Sequence, residues 1–136
     1  MAARPESQYP QDWFRIAGED LRRVAKRLAE RDADDAAFRL QQAVEKYLKG
    51  YLLSKGWTLR RIHDVEELLN DAQRYEPQFE RYRVLCQRIV GYYFVERYPM
   101  FEEGPSLAEV RQAYTEAKEF IQHLQRGARR RRGQRR

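Results

Sequence analysis

From Asp34 to Lys55 the chain reads DDAAFRLQQAVEKYLKGYLLSK. Ala37, Phe38, Gln41, Val44, Leu48, Tyr51 and Leu52 recur there at steps of three and four, which predicts a helix with one buried stripe. No proline interrupts it, and its one glycine, Gly50, falls near its end. Gln41 and Gln42 sit among aliphatic residues, so at least one amide lies at a packed interface and needs a hydrogen-bond partner there. Glu45 and Lys49, four apart, are expected to pair along the solvated side. This stretch reads as the central helix of a bundle.

The flanking segments repeat the pattern. Trp13, Ile16, Ala17, Leu21, Val24 and Leu28 mark the inner stripe of a first helix over 12–31, with a turn at 32–34. Gly56 closes the central helix and 57–62 forms a loop. Asp64 caps a third, short helix, with Glu67 as its capping-box partner, and that helix fades near Arg74. Glu76 or Pro77 opens a fourth, whose stripe is Phe79, Tyr82, Leu85, Ile89, Tyr92 and Tyr93 and which stops before Pro99. After a loop at 100–105, Ser106 and Glu109 cap a last helix striped by Leu107, Val110, Tyr114, Ala117, Ile121 and Leu124. No segment alternates as a strand would. The expected fold is all-α, an antiparallel up-and-down bundle of four long helices plus one short helix. Its expected organisation is a loose lead-in over 1–11, the bundle over 12–125 and a disordered arginine-rich tail over 126–136.

Charge changes the picture only at one end. The net charge of +6 comes with seven arginines and no acid in 126–136; without them 20 basic residues face 21 acidic ones, a net of −1. The body is near neutral, and a basic balance says nothing about it. The tail has two readings: phosphate binding with strong salt dependence, or a solvated end. No apolar run approaches the length of a membrane span, and MAARPESQYP lacks the apolar core of a secretory signal. A single cysteine, Cys86, cannot form an internal disulfide, which fits a cytoplasmic location.

Three stretches also carry a resemblance. FRLQQAVEKYLKGYLLSKG, then His63-Asp64 followed by VEELL, then Arg97-Tyr98-Pro99 resemble the HEPN domain family across most of 12–125. The resemblance implies small helical domains that pair as homodimers. It also implies a usual partner, a minimal nucleotidyltransferase. No Gly-Ser and paired-aspartate signature for that transferase occurs here, so such a partner would be separately encoded. It implies a toxin–antitoxin or nucleotide-linked defence setting. In active family members an arginine and a histidine with four to six residues between them near this helix end cut RNA, the arginine holding phosphate and the histidine moving protons.

Arg97 matches the arginine. The three permitted histidine positions hold Glu102, Glu103 and Gly104. The candidate catalytic residues are therefore Arg97, Glu102 and Glu103, and the candidate nucleotide- or phosphate-binding residues are Arg97, Tyr98 and His63. A carboxylate beside a phosphodiester repels it unless its proton is retained. The bland alternative makes Arg97-Tyr98-Pro99 a helix stop and His63 a residue that ties a loop to a neighbouring helix. A non-catalytic nucleotide- or protein-binding module stands beside the RNA-acting reading. Tyr82, Tyr92, Tyr93 and Tyr98 suit a core or dimer face, or a stacking surface for bases. Two distant histidines and one cysteine give no zinc spacing, and no cofactor is expected.

Overall fold

Proline at position 10 opens the first helix, α1 (Pro10–Ala29), where its missing N–H and fixed φ cost nothing. The computed structural model describes residues 6–97 and 104–130, apart from the side chains of 93–97. The remaining helices are α2 (Ala33–Ser54), α3 (Val65–Tyr75), α4 (Arg83–Arg97) and α5 (Leu107–Arg129), with a 3-10 segment, Pro77–Tyr82, between α3 and α4. Among the described residues there is no strand, and the fold is all-α. None of the described helices is long and apolar enough to cross a membrane.

Local chemistry sets the ends. Asp32 accepts a hydrogen bond from the Asp35 N–H, Asp64 from those of Glu66 and Glu67, and Ser106 from that of Glu109. Each satisfies amides that a helix start leaves unpaired, worth about 1 kcal/mol apiece. Gly56, at φ 90°, ends α2: its N–H reaches Leu53 O and that of Trp57 reaches Leu52 O. The same paired bonds end α1, from Arg31 to Leu28 and from Asp32 to Arg27, with Arg31 at φ 61° where glycine would be easier.

Pairings across the bundle fix its directions. Trp13 meets Lys49, Asp20 meets Lys46 and Arg27 meets Asp35, so α1 and α2 are antiparallel. Arg81 with Glu119 and Arg88 with Glu116 make α5 antiparallel to the segment entering and continuing as α4. At one end Lys55 Nζ donates to the Gly127 carbonyl, and at the other Arg111 reaches the Leu28 carbonyl, so α2 and α5 run the same way. The short α3 also runs with α2: His63 is level with Glu45, and Glu76 receives the Tyr51 hydroxyl.

Two sequence boundaries move by a helical turn or more. The fourth helix opens as a 3-10 turn because Phe79 and Tyr82, three apart, are both buried; Tyr82 stacks on Phe120 and Phe79 meets both Tyr51 and Phe120 edge-on. The last helix continues to Arg129, so the first arginines of the 126–136 stretch are helical. Gly127 is buried there, and Arg130 pairs with Glu76.

α2 is the hub. It packs against α1, α3, α4 and α5. Ala36, Leu40, Val44, Leu48, Tyr51 and Leu52 are fully buried along it. At this breadth of burial one stripe is too narrow a description.

Candidate functional site

Gln41, Glu45 and Lys49 stand one helical turn apart on one face of α2 and are 1%, 3% and 1% exposed. The Lys49 Nζ lies 3.1 Å from Glu45 Oε2. The expected pair forms, but inside the bundle and not on the solvated side. The reason is the hub position: with neighbours all round, α2 has almost no face left for water.

Glu45 also gathers other donors. Gln41 Nε2 donates to Glu45 Oε1 at 3.0 Å and to the His63 carbonyl at 3.2 Å. This meets the expectation that an amide here needs partners. Gln42 Nε2 donates in turn to Gln41 Oε1. The ring of His63 places Nδ1 3.1 Å from Glu45 Oε2, while its side chain is 59% exposed. An ionised carboxylate only accepts, so Nδ1 carries the proton in this contact, and in the neutral ring Nε2 is then the basic nitrogen. Lys49 lies 5.2 Å from the centre of the Trp13 ring, whose π face is a second favourable surface for a buried ammonium.

A second arrangement lies at the other end of α3. A surface cavity of about 430 Å³ is lined by Trp57, Thr58, Arg60, Asp71, Arg74 and Tyr75. Trp57 Nε1 and Arg60 Nη2 both donate to Asp71 Oδ2, at 3.0 and 2.6 Å, which fixes the indole and one guanidinium on a buried carboxylate. Arg60 also lies 6.0 Å from the Trp57 ring centre. Arg74 is exposed, and Tyr75 is 43% exposed. Asp71 is engaged twice, so two guanidiniums and two aromatic rings dominate what the cavity offers. Sequence reading missed this site, having taken 57–62 as a plain loop and Arg74 as a fading helix end. The signal was a Trp-x-x-Arg loop followed by Asp-x-x-Arg-Tyr.

Of the candidate catalytic and phosphate-binding residues, His63 alone has its side chain among the described residues. Arg97 is the last residue of α4; its side chain, and Tyr98, Glu102 and Glu103, lie outside the described residues. Tyr82 and Tyr92 are core residues. His123 is half-buried, 6.0 Å from the Tyr82 ring. Cys86 is fully buried, and burial pushes its thiol up to about 12, which removes it as a nucleophile.

A family model described as the HEPN domain matches residues 10–127. The chain belongs to the HEPN domain family. A solved structure similar to this HEPN chain is the crystal structure of TT1696 from Thermus thermophilus, at 26% identity and a TM-score of 0.73. The match covers 89% of this chain and 99% of that one. None of the curated proteins compared with the chain matches it. The QQAVEKYLK run that carries the sequence resemblance is the run that supplies Gln41, Glu45 and Lys49 to the buried network.

Proposed function

We propose that this HEPN protein acts on RNA, within a toxin–antitoxin or nucleotide-linked defence system, through Arg97 and a cavity that holds one nucleotide unit. The observation that supports the reading is the pairing of aromatic faces with guanidiniums around Trp57. A base stacks on an aromatic ring whatever its identity, and a guanidinium suits the phosphate beside it. The near-neutral body makes the local surplus of cation meaningful, because it is not part of a general basic surface.

The test measures affinity by fluorescence anisotropy, using single-stranded RNA in one arm and a free nucleoside monophosphate in the other. Arg74→Ala and Tyr75→Ala change exposed side chains and leave the core intact. Each is expected to weaken RNA binding about 5- to 100-fold, the range of one lost stack or charged contact. Arg97→Ala is expected to weaken it as well. Equal RNA affinity in the parent and all three variants would refute the reading. Binding of the mononucleotide alone would favour the alternative, a non-catalytic nucleotide-binding module, which the missing motif histidine also supports.

We further propose a homodimer through the outward face of α4, where Val84 is 62% exposed and a Cβ on Gly91 would meet nothing within 4 Å. Val84→Arg should then shift the sedimenting species from dimer to monomer. A separately encoded minimal nucleotidyltransferase remains the proposed protein partner.

A further inference from the structure

Proton transfer in this protein has no histidine at the motif positions, where Glu102, Glu103 and Gly104 stand. The bundle nevertheless presents one exposed imidazole held by a buried carboxylate. We propose that His63, oriented by Glu45, is the proton-transfer residue for RNA cleavage; this rests on the RNA-acting reading above and adds the group that reading lacks.

Three observations carry it. First, His63 combines an exposed ring with an anchored Nδ1: the side chain is 59% exposed, yet Nδ1 sits 3.1 Å from Glu45 Oε2. Second, Glu45 is itself fixed: its Oε1 accepts from Gln41 Nε2 at 3.0 Å, and its Oε2 faces Lys49 Nζ at 3.1 Å, so the carboxylate cannot swing away from the ring. A carboxylate that accepts from Nδ1–H sets the tautomer and supports the imidazolium once Nε2 takes a proton. Third, anchoring the loop does not require the ring. The Gln41 amide already holds the His63 carbonyl at 3.2 Å, and Asp64 caps α3.

The step balances without a further reagent. Nε2 of His63 removes the proton from a ribose 2′-hydroxyl. The freed oxygen attacks the adjacent phosphorus, and a bond from phosphorus to the 2′-oxygen forms as the bond to the 5′-oxygen breaks. The 5′-oxygen leaves with a proton from water, and the other product ends in a 2′,3′-cyclic phosphate. Glu45 is a positioning residue: it touches the imidazole and not the substrate.

The experiment uses the full chain and a 5′-labelled single-stranded RNA, followed under single-turnover conditions, with binding of the same RNA measured by anisotropy. The parent is expected to cleave and to leave a cyclic phosphate end. His63→Ala should cleave at least about 100-fold more slowly under saturating single-turnover conditions, a loss larger than any change in its RNA affinity, and added imidazole should restore part of the rate. His63→Gln keeps a hydrogen-bonding group near Glu45 but cannot shuttle the proton, so it should be as slow as His63→Ala. Glu45→Gln should lower the rate with little change in binding. Circular dichroism checks that each variant is folded, and because the His63 ring is exposed, both His63 variants keep the test valid if Glu45→Gln does not fold. Cleavage by His63→Ala at the parental rate, or slow cleavage that imidazole leaves unchanged, would overturn the proposal. So would a parent that binds RNA without cleaving it. A parent that neither binds nor cleaves RNA would overturn the RNA-acting reading itself.

Discussion

Lys49→Met is the sharpest test of the hub. The substitution keeps chain length and replaces a fully buried ammonium with a thioether. At 3.1 Å and an effective dielectric near 20, the attraction between Lys49 and Glu45 is about 5 kcal/mol. Burying both ions costs a comparable amount, so the pair as a whole adds little relative to apolar residues of the same size. Removing one partner is different, because the other charge stays buried, at a cost of about 3–5 kcal/mol. Lys49→Met should fall near the lower limit, since Glu45 keeps Gln41 and His63 as neighbours. Glu45→Gln should fall near the upper one, since the lysine keeps only the Trp13 face and a neutral amide. Against a total stability of roughly 5–15 kcal/mol, either loss is large. The double variant Glu45→Leu, Lys49→Met buries no charge and should cost less than the sum of the single changes by at least about 2 kcal/mol. Urea denaturation of the parent, the double variant and its two single variants, followed by circular dichroism, gives this coupling directly. Single variants that each lose under about 1 kcal/mol, or losses that simply add, would refute the buried-pair reasoning.

The same pair shows what the sequence made legible. Helix ends are written in nearby residues, so Asp64, Gly56 and Ser106 were readable as caps, and the periodic stripes located every long helix. Burial of Glu45 and Lys49 was not readable, because charge four residues apart is the mark of a solvated face unless the helix has neighbours on every side. That depends on the tertiary arrangement. Gly127 looked like the start of a disordered tail, and the structure instead ties it to Lys55 across 72 positions of sequence. The Trp57 cavity was hidden for a similar reason: its indole and Asp71 are 14 residues apart and meet only once α3 lies alongside α2. His63 was visible as a candidate, but Glu45 behind it was not.

Two further predictions concern stability. A Cβ at Gly127 would lie 2.9 Å from Tyr51 Cε1 and press on the Glu76 carboxylate, so Gly127→Ala should lower stability by about 1–3 kcal/mol. In the Val84→Arg background, where the proposed α4 interface is broken, Gly91→Ala should raise stability by about 0.5–1 kcal/mol, since its Cβ meets nothing within 4 Å in the protomer, and equal melting temperatures for Gly91→Ala and Gly127→Ala in that background would contradict the packing described. Alkaline pH should weaken the fold. Burial, the largest cause in each case, raises the folded-state pKa of Cys86 (to about 12) and of Tyr47, Tyr51, Tyr82 and Tyr92. The unfolded chain releases these protons at about 8.5 for the thiol and about 10 for the phenols, so above those values the native state holds more protons and stability falls as pH rises. Lys55 is shifted down by burial and works in the opposite direction, but it is one group against five. The urea midpoint should therefore begin to drop above about pH 8.5 and fall more steeply past about 10, and Cys86→Ala should delay the onset toward the second value. A midpoint that holds steady or rises across that range would mean these groups titrate in the folded protein much as they do in the unfolded chain.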